Sequence, residues 1–256
     1  MLPTQGGMIV QMQRAAFVFV LLTALASAAC GRQVTPNPPG LGPGGAPPGY
    51  TAFFFDVSAP FSFSSYQYMF VLNTSGSRIT PSTDTLQTNW AGYSFALIAR
   101  GNGATSFAQF VQFVPPKSGK GPPGWLPLGS APQLFSYNLN SNGSGTEFSL
   151  LVKRTVFNGI ASPSPSPSTS PTPTPSSQWT FNAFTTQPGG SQGNWYFVDS
   201  MGAGGPVDPQ YVSPMLCMSE PFDQTFYGAG PTLADPSAQI VSVEIANNPV
   251  VPKPCP

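Results

Sequence analysis

The chain is expected to be all-β, an antiparallel β-sandwich of immunoglobulin-like or jelly-roll topology. Three observations lead there. Several short segments alternate apolar and polar residues, the period of a half-buried strand. Gly, Pro, Ser and Asn punctuate these segments, and no stretch carries a helical apolar stripe with caps. Finally, 40% of the residues are hydrophobic, including 20 Phe, which is material for one core although only 7% are charged.

The strands are expected in the following order. Thr51–Val57 and Tyr66–Asn73 are aromatic and β-branched runs bounded by turn residues. Tyr93, Phe95 and Leu97 alternate with Ser94 and Ala96. Ser106–Val114 also fits helical spacing, but it is rich in Phe and Val and ends at Pro115-Pro116, so a strand is expected. In Thr146–Lys153, Phe148, Leu150 and Val152 share one face, with Glu147, Ser149 and Lys153 opposite. Trp179, Phe181 and Ala183 alternate with Thr180 and Asn182, and Asn194–Ser200 is a further aromatic run. Gln239–Ala246 turns Val241, Val243 and Ile245 inward and Ser242 and Glu244 outward. Short helical turns are expected at Pro206–Met215 or Glu220–Phe226.

Two stretches cannot build a core. Residues 30–49 are almost wholly Pro, Gly and polar after Cys30, and read as a tether. Residues 162–177, SPSPSPSTSPTPTPSS, favour polyproline II. They read as a loop inserted in a single domain over 50–256, because Thr146–Phe157 and Gln178–Thr186 on either side look like strands of one sheet. An interdomain linker is the alternative.

Residues 1–29 read as a signal peptide. The apolar run Ala15–Ala26 is about 12 residues long, too short for the roughly 20 that a spanning helix needs. It follows Arg14 and precedes small residues, the pattern of a secretory leader. Ser27-Ala28-Ala29-Cys30-Gly31 resembles the lipobox of bacterial lipoproteins, although the family usually has Leu where Ser27 stands. The resemblance implies lipidation of Cys30 (with palmitate among the acyl chains) and an extracytoplasmic, membrane-anchored protein. Gly31, being other than Asp, implies the outer membrane or cell surface. Ala26-Ser27-Ala28 also fits ordinary cleavage, which leaves Cys30 as a thiol.

The chain has three cysteines. With Cys30 acylated, Cys217 and Cys255 remain as a pair in an oxidising compartment, where a disulfide is expected.

Composition also excludes chemistry. There is no His, which removes Ser–His–Asp and Cys–His triads and histidine-ligated metals. Formal net charge is zero, so no basic field attracts nucleic acid. Gly189-Gly190-Ser191-Gln192-Gly193 spells a nucleophile elbow, but between strands and without His it reads as a turn. Gly119-Lys120-Gly121-Pro122-Pro123-Gly124 spells a phosphate loop, but its prolines and the missing helix remove that logic.

Two candidate sites stand out. Asp199, Asp208, Glu220 and Asp223 lie in a loop-rich stretch, where loop oxygens hold calcium or two carboxylates cleave a glycosidic bond; the plainer reading is turn chemistry. No other cofactor is indicated. Trp125, with Lys117 and Lys120, sits in the Pro/Gly loop Pro115–Gly129. An aromatic there stacks on a sugar, anchors in a protein pocket or closes the core as a lid.

The sequence therefore points to a non-enzymatic envelope lipoprotein, a binding or structural module reaching glycan or an envelope protein. The alternative is an extracytoplasmic carbohydrate-binding protein or carboxylate-based glycosidase.

Overall fold

The computed structural model describes residues 45–78, 93–101, 105–114, 124–128, 134–158, 176–188, 195–204, 206, 208, 211 and 213–255. Its strands are β1 (Tyr50–Val57), β2 (Gln67–Asn73), β3 (Phe95–Gly101), β4 (Ser106–Val114), β5 (Gly124–Pro127) and β6 (Phe135–Asn138). They continue as β7 (Glu147–Lys153), β8 (Gln178–Pro188), β9 (Trp195–Ser200), β10 (Leu216–Cys217), β11 (Phe222–Tyr227) and β12 (Ile240–Asn248). Arg154–Asn158 and Pro236–Ala238 are short 3₁₀ turns.

The strands form two antiparallel sheets packed face to face. One runs β11-β12-β1-β7-β6. The other runs β10-β8-β2-β3-β4-β5, and β9 pairs with the far end of β8. The fold is an all-β sandwich.

Alternation puts the core between the sheets. Phe53, Phe55 and Val57 of β1 face inward with Phe148, Leu150 and Val152 of β7 and Val243 and Ile245 of β12. Tyr68, Phe70 and Leu72 of β2 and Phe95 and Leu97 of β3 meet them from the other sheet. Aromatic rings bridge the layers. Phe55 stacks on Phe148 with centroids 5.2 Å apart and meets Phe70 edge-on at 5.6 Å. Each such ring contributes a large apolar area, and truncating one costs about 3–5 kcal/mol.

Every residue of β2 is buried, because its second face joins another apolar cluster. Met69 and Val71 pack there with Tyr93, Ala96, Ile98, Val111 and Phe184. Tyr93 thus parts company with Phe95 and Leu97, with which it was expected to share a face. Ser106–Val114 is a strand as expected, with Phe110 in the main core and Val111 in the second cluster.

Other expectations are corrected. The strands flanking the insertion do not share a sheet: β7 lies in one layer and β8 in the other. Their residues Phe148, Leu150, Trp179 and Phe181 belong to the same core. Glu220–Phe226 holds no helical turn; Phe222–Tyr227 is β11, an edge strand on β12. Trp125 is not in a loop but on β5, paired with Phe113. Val241 does not point inward. Asp56 pairs with Ser242 while Val57 pairs with Ile240, so a bulge at Val241 reverses parity, burying Ile240 and leaving Val241 37% exposed.

The leader, Cys30, the tether up to residue 44, Lys117, Lys120, residues 162–175 of the insertion and the Gly189–Gly193 motif lie outside the described residues.

Candidate functional site

One end of the sandwich opens into a cleft of about 460 Å³ between the two layers. Its walls come from the start of β1, the end of β7, the 3₁₀ turn Arg154–Asn158, the start of β8 and the C-terminal segment. Gly49 sets the entry of β1. Its φ of +83° suits glycine, and an added Cβ would meet the Val250 side chain at 3.0 Å. The Gly49 N–H donates to Asn248 O, and its carbonyl accepts from Arg154 N at 2.9 Å. That bond pins the 3₁₀ turn to β1.

The turn is anchored by Phe157, which is 1% exposed. Its ring meets Trp179 at 4.7 Å, Phe110 at 5.1 Å and Phe95 at 5.6 Å. Trp179 Nε1 donates to Ser176 O at 2.8 Å, so the indole is satisfied and forms a wall. On the opposite rim, Cys217 and Cys255 are disulfide-bonded, with Cα atoms 5.9 Å apart. Ser219 Oγ lies 3.4 Å from both sulfurs. The expected disulfide is therefore present, and it fastens the C-terminal segment beside the cleft.

Lys153 and Arg154 both line this cleft. Neither side chain has a hydrogen bond or ion pair among the described residues. Burial alone pulls the Arg154 guanidinium below the ordinary arginine value; no carboxylate opposes it. The nearest acid in sequence on the facing segment, Glu220, instead accepts from Cys255 N at 3.3 Å. Thr155, Asn158 and Ser177, also in the lining, have no side-chain hydrogen bond among the described residues. The guanidinium is thus half-buried and without a counter-charge among the described residues.

Neither a protein-family model, a curated protein nor a solved structure matches this chain.

The four carboxylates singled out in the sequence have separate employments. Asp199 is 2% exposed. On β8, Thr185 pairs with Asp199 and Thr186 with Phe197, so a bulge skips Val198 and turns Asp199 to the core side. There its Oδ2 accepts from Ile240 N at 2.7 Å and its Oδ1 from Ser200 N at 2.9 Å. Asp199 thus ties β9 of one layer to the bulged start of β12 in the other. Burial pushes its carboxyl up to about 6, against the downward pull of the two N–H donors. Asp208 Oδ2 accepts from Gly204 N at 3.2 Å, and a Cβ on Gly202 or Gly204 would collide with it. That is turn chemistry.

Asp223 belongs to a different group. Along the outer face of the five-stranded sheet, Asp223 (β11), Glu244 (β12), Asp56 (β1) and Glu147 (β7) lie on adjacent strands. Burial, then the neighbouring Asp223, pushes the Glu244 carboxyl up to about 7. Asp56 is likewise raised, by burial and by Glu147. Among the described residues, no group of three or more acidic or cysteine side chains is placed to hold a metal ion. Asp199, Asp208, Glu220 and Asp223 therefore form no calcium cluster among the described residues.

Sequence reasoning missed Arg154. A signal existed: Lys153-Arg154 is the one adjacent pair of cations among the nine Lys and Arg of the chain.

Proposed function

We propose that this chain is an exported, lipid-anchored binding module of the bacterial envelope, without catalytic chemistry of its own. The observation that carries the proposal is the fate of the cysteines. Cys217 and Cys255 are bonded to each other, which suits an oxidising compartment. That leaves Cys30, at the end of the leader-like run, as the one cysteine to carry lipid. The rest of the chemistry agrees. The most perturbed inward-facing carboxylate, Asp199, is spent on backbone N–H groups, and the chain has no His to serve as base. What the sandwich offers is the open cleft, whose lining includes Pro48 and Gly49 from the end of the tether.

The test is mass spectrometry of the mature N-terminus with membrane fractionation. A diacyl or triacyl Cys30 in the membrane fraction, released by Cys30→Ser, is the expected result. An intact leader on a cytosolic chain contradicts the proposal.

A further inference from the structure

The cleft at Arg154 joins three features that are rarely combined by packing alone. Arg154 lines it without a carboxylate partner among the described residues, and Lys153 lies next to it at the end of β7. Thr155, Asn158 and Ser177 add hydroxyl and amide groups that both donate and accept, with no side-chain hydrogen bond among the described residues. Phe157, Trp179, Pro48 and Val250 supply apolar surface beside them. The volume, about 460 Å³, suits a molecule of one or two rings.

We propose that this cleft binds an acidic saccharide of the hexuronic acid class. The ligand's carboxylate takes the fork of Arg154, since a guanidinium meets a carboxylate bidentately. Its hydroxyls exchange hydrogen bonds with Thr155, Asn158 and Ser177, and the C–H face of its ring lies along the apolar wall. A neutral sugar fills the same volume but leaves Arg154 uncompensated. A bilayer phosphate answers the charge but leaves the apolar wall unused. This inference rests on the reading of the domain as a binding module and names the ligand class.

The experiment is calorimetric titration of the purified full chain with galacturonic acid and its trimer. Galactose, inorganic phosphate and phosphatidylglycerol vesicles are the comparisons. Galacturonate is expected to bind at least about tenfold tighter than galactose, the loss expected when a buried charge is left unpaired. Arg154→Gln is expected to remove that preference without lowering the melting temperature. Arg154→Lys, which keeps the charge and loses the fork, is expected to weaken galacturonate about fivefold or more. The Lys variant carries the test if the Gln variant folds poorly.

Equal affinity for galactose overturns the proposal, as does phosphate or vesicle binding as tight as galacturonate, or unchanged binding by the Arg154 variants. The two readings fail separately. An unacylated cytosolic chain sinks the anchoring whatever the titration shows. An acylated chain that ignores uronates sinks only the ligand class.

Discussion

Asp199 and Arg154 are both charged groups drawn into the sandwich, and they are treated in opposite ways. Asp199 has two backbone N–H donors, from Ile240 and Ser200, and joins the two layers. Arg154 has no side-chain partner among the described residues and opens onto a cleft. A buried carboxyl with two backbone donors ties one layer to the other whatever its protonation state. A half-buried cation with no counter-charge adds nothing comparable to the fold and is open to an anion, as proposed above. The contrast separates structure from function here without help from any relative.

The comparison is broken most severely at Phe157, which carries the 3₁₀ turn bearing Arg154. Phe157→Ala removes a core ring touching Trp179, Phe110 and Phe95 and is expected to cost about 3–5 kcal/mol in urea unfolding. The uronate affinity should fall with it, because the turn loses its anchor. Next is the disulfide. Cys217 and Cys255 are separated by 38 residues in sequence, and Cys255→Ser is expected to cost roughly 4 kcal/mol by the chain-entropy argument. It frees the rim at Ser219 but leaves Asp199 bonded, so it sharpens the distinction between the two regions. Thiol quantitation before and after reduction checks that the bond was present.

Asp199→Asn retains one acceptor and leaves a buried N–H without one, an expected loss of about 1–3 kcal/mol at pH 5, offset at pH 8 by removal of the buried charge. Its effect depends on pH. The folded carboxyl lies near 6, raised from 3.8, so folding takes up a proton between those values. The associated stability is complete below about pH 4 and lost as pH rises through 6. Glu244 acts in the same sense, with its carboxyl raised from 4.5 to about 7. Unfolding free energy should therefore fall from pH 5 to pH 8. Asp199→Asn and Glu244→Gln should each flatten the profile. Glu244 is half-exposed, so screening limits the Gln variant to about 1 kcal/mol of stabilisation at pH 8. A profile rising from pH 5 to 8 contradicts this account of both groups.

Much of the sandwich was legible because alternation and burial coincide. Phe148, Leu150 and Val152 face the core in the order read from their spacing. The misplaced residues follow a common cause. Bulges at Val198 and Val241 add one residue to a strand, and from there inward and outward exchange. Asp199, expected in a loop-rich acidic cluster, is turned inward by the first. Val241 is turned outward by the second, and Ile240 N is left for Asp199 to accept from. The strand β11 was missed because an edge strand with Asp223, Gln224 and Thr225 exposed has little apolar face to read. The strand β5 was missed because Gly124 and Pro127 spell a loop, although an edge tolerates both. Of the cleft, the sequence showed the ingredients but not their meeting. Lys153-Arg154 resembles an ordinary solvated strand end until Gly49, Trp179 and Ser219 close around it.

Urea unfolding of Asp199→Ala and Arg154→Gln at pH 7, beside the wild-type chain without ligand, decides between the two roles. Loss of both acceptors leaves Ile240 N and Ser200 N unpaired, and a loss of about 1–3 kcal/mol is expected after the relief of the buried charge is set against it. For Arg154→Gln no loss, or a gain of up to about 1 kcal/mol, is expected. An Arg154→Gln chain destabilised as much as Asp199→Ala would mean that the guanidinium holds the fold and does not await an anion.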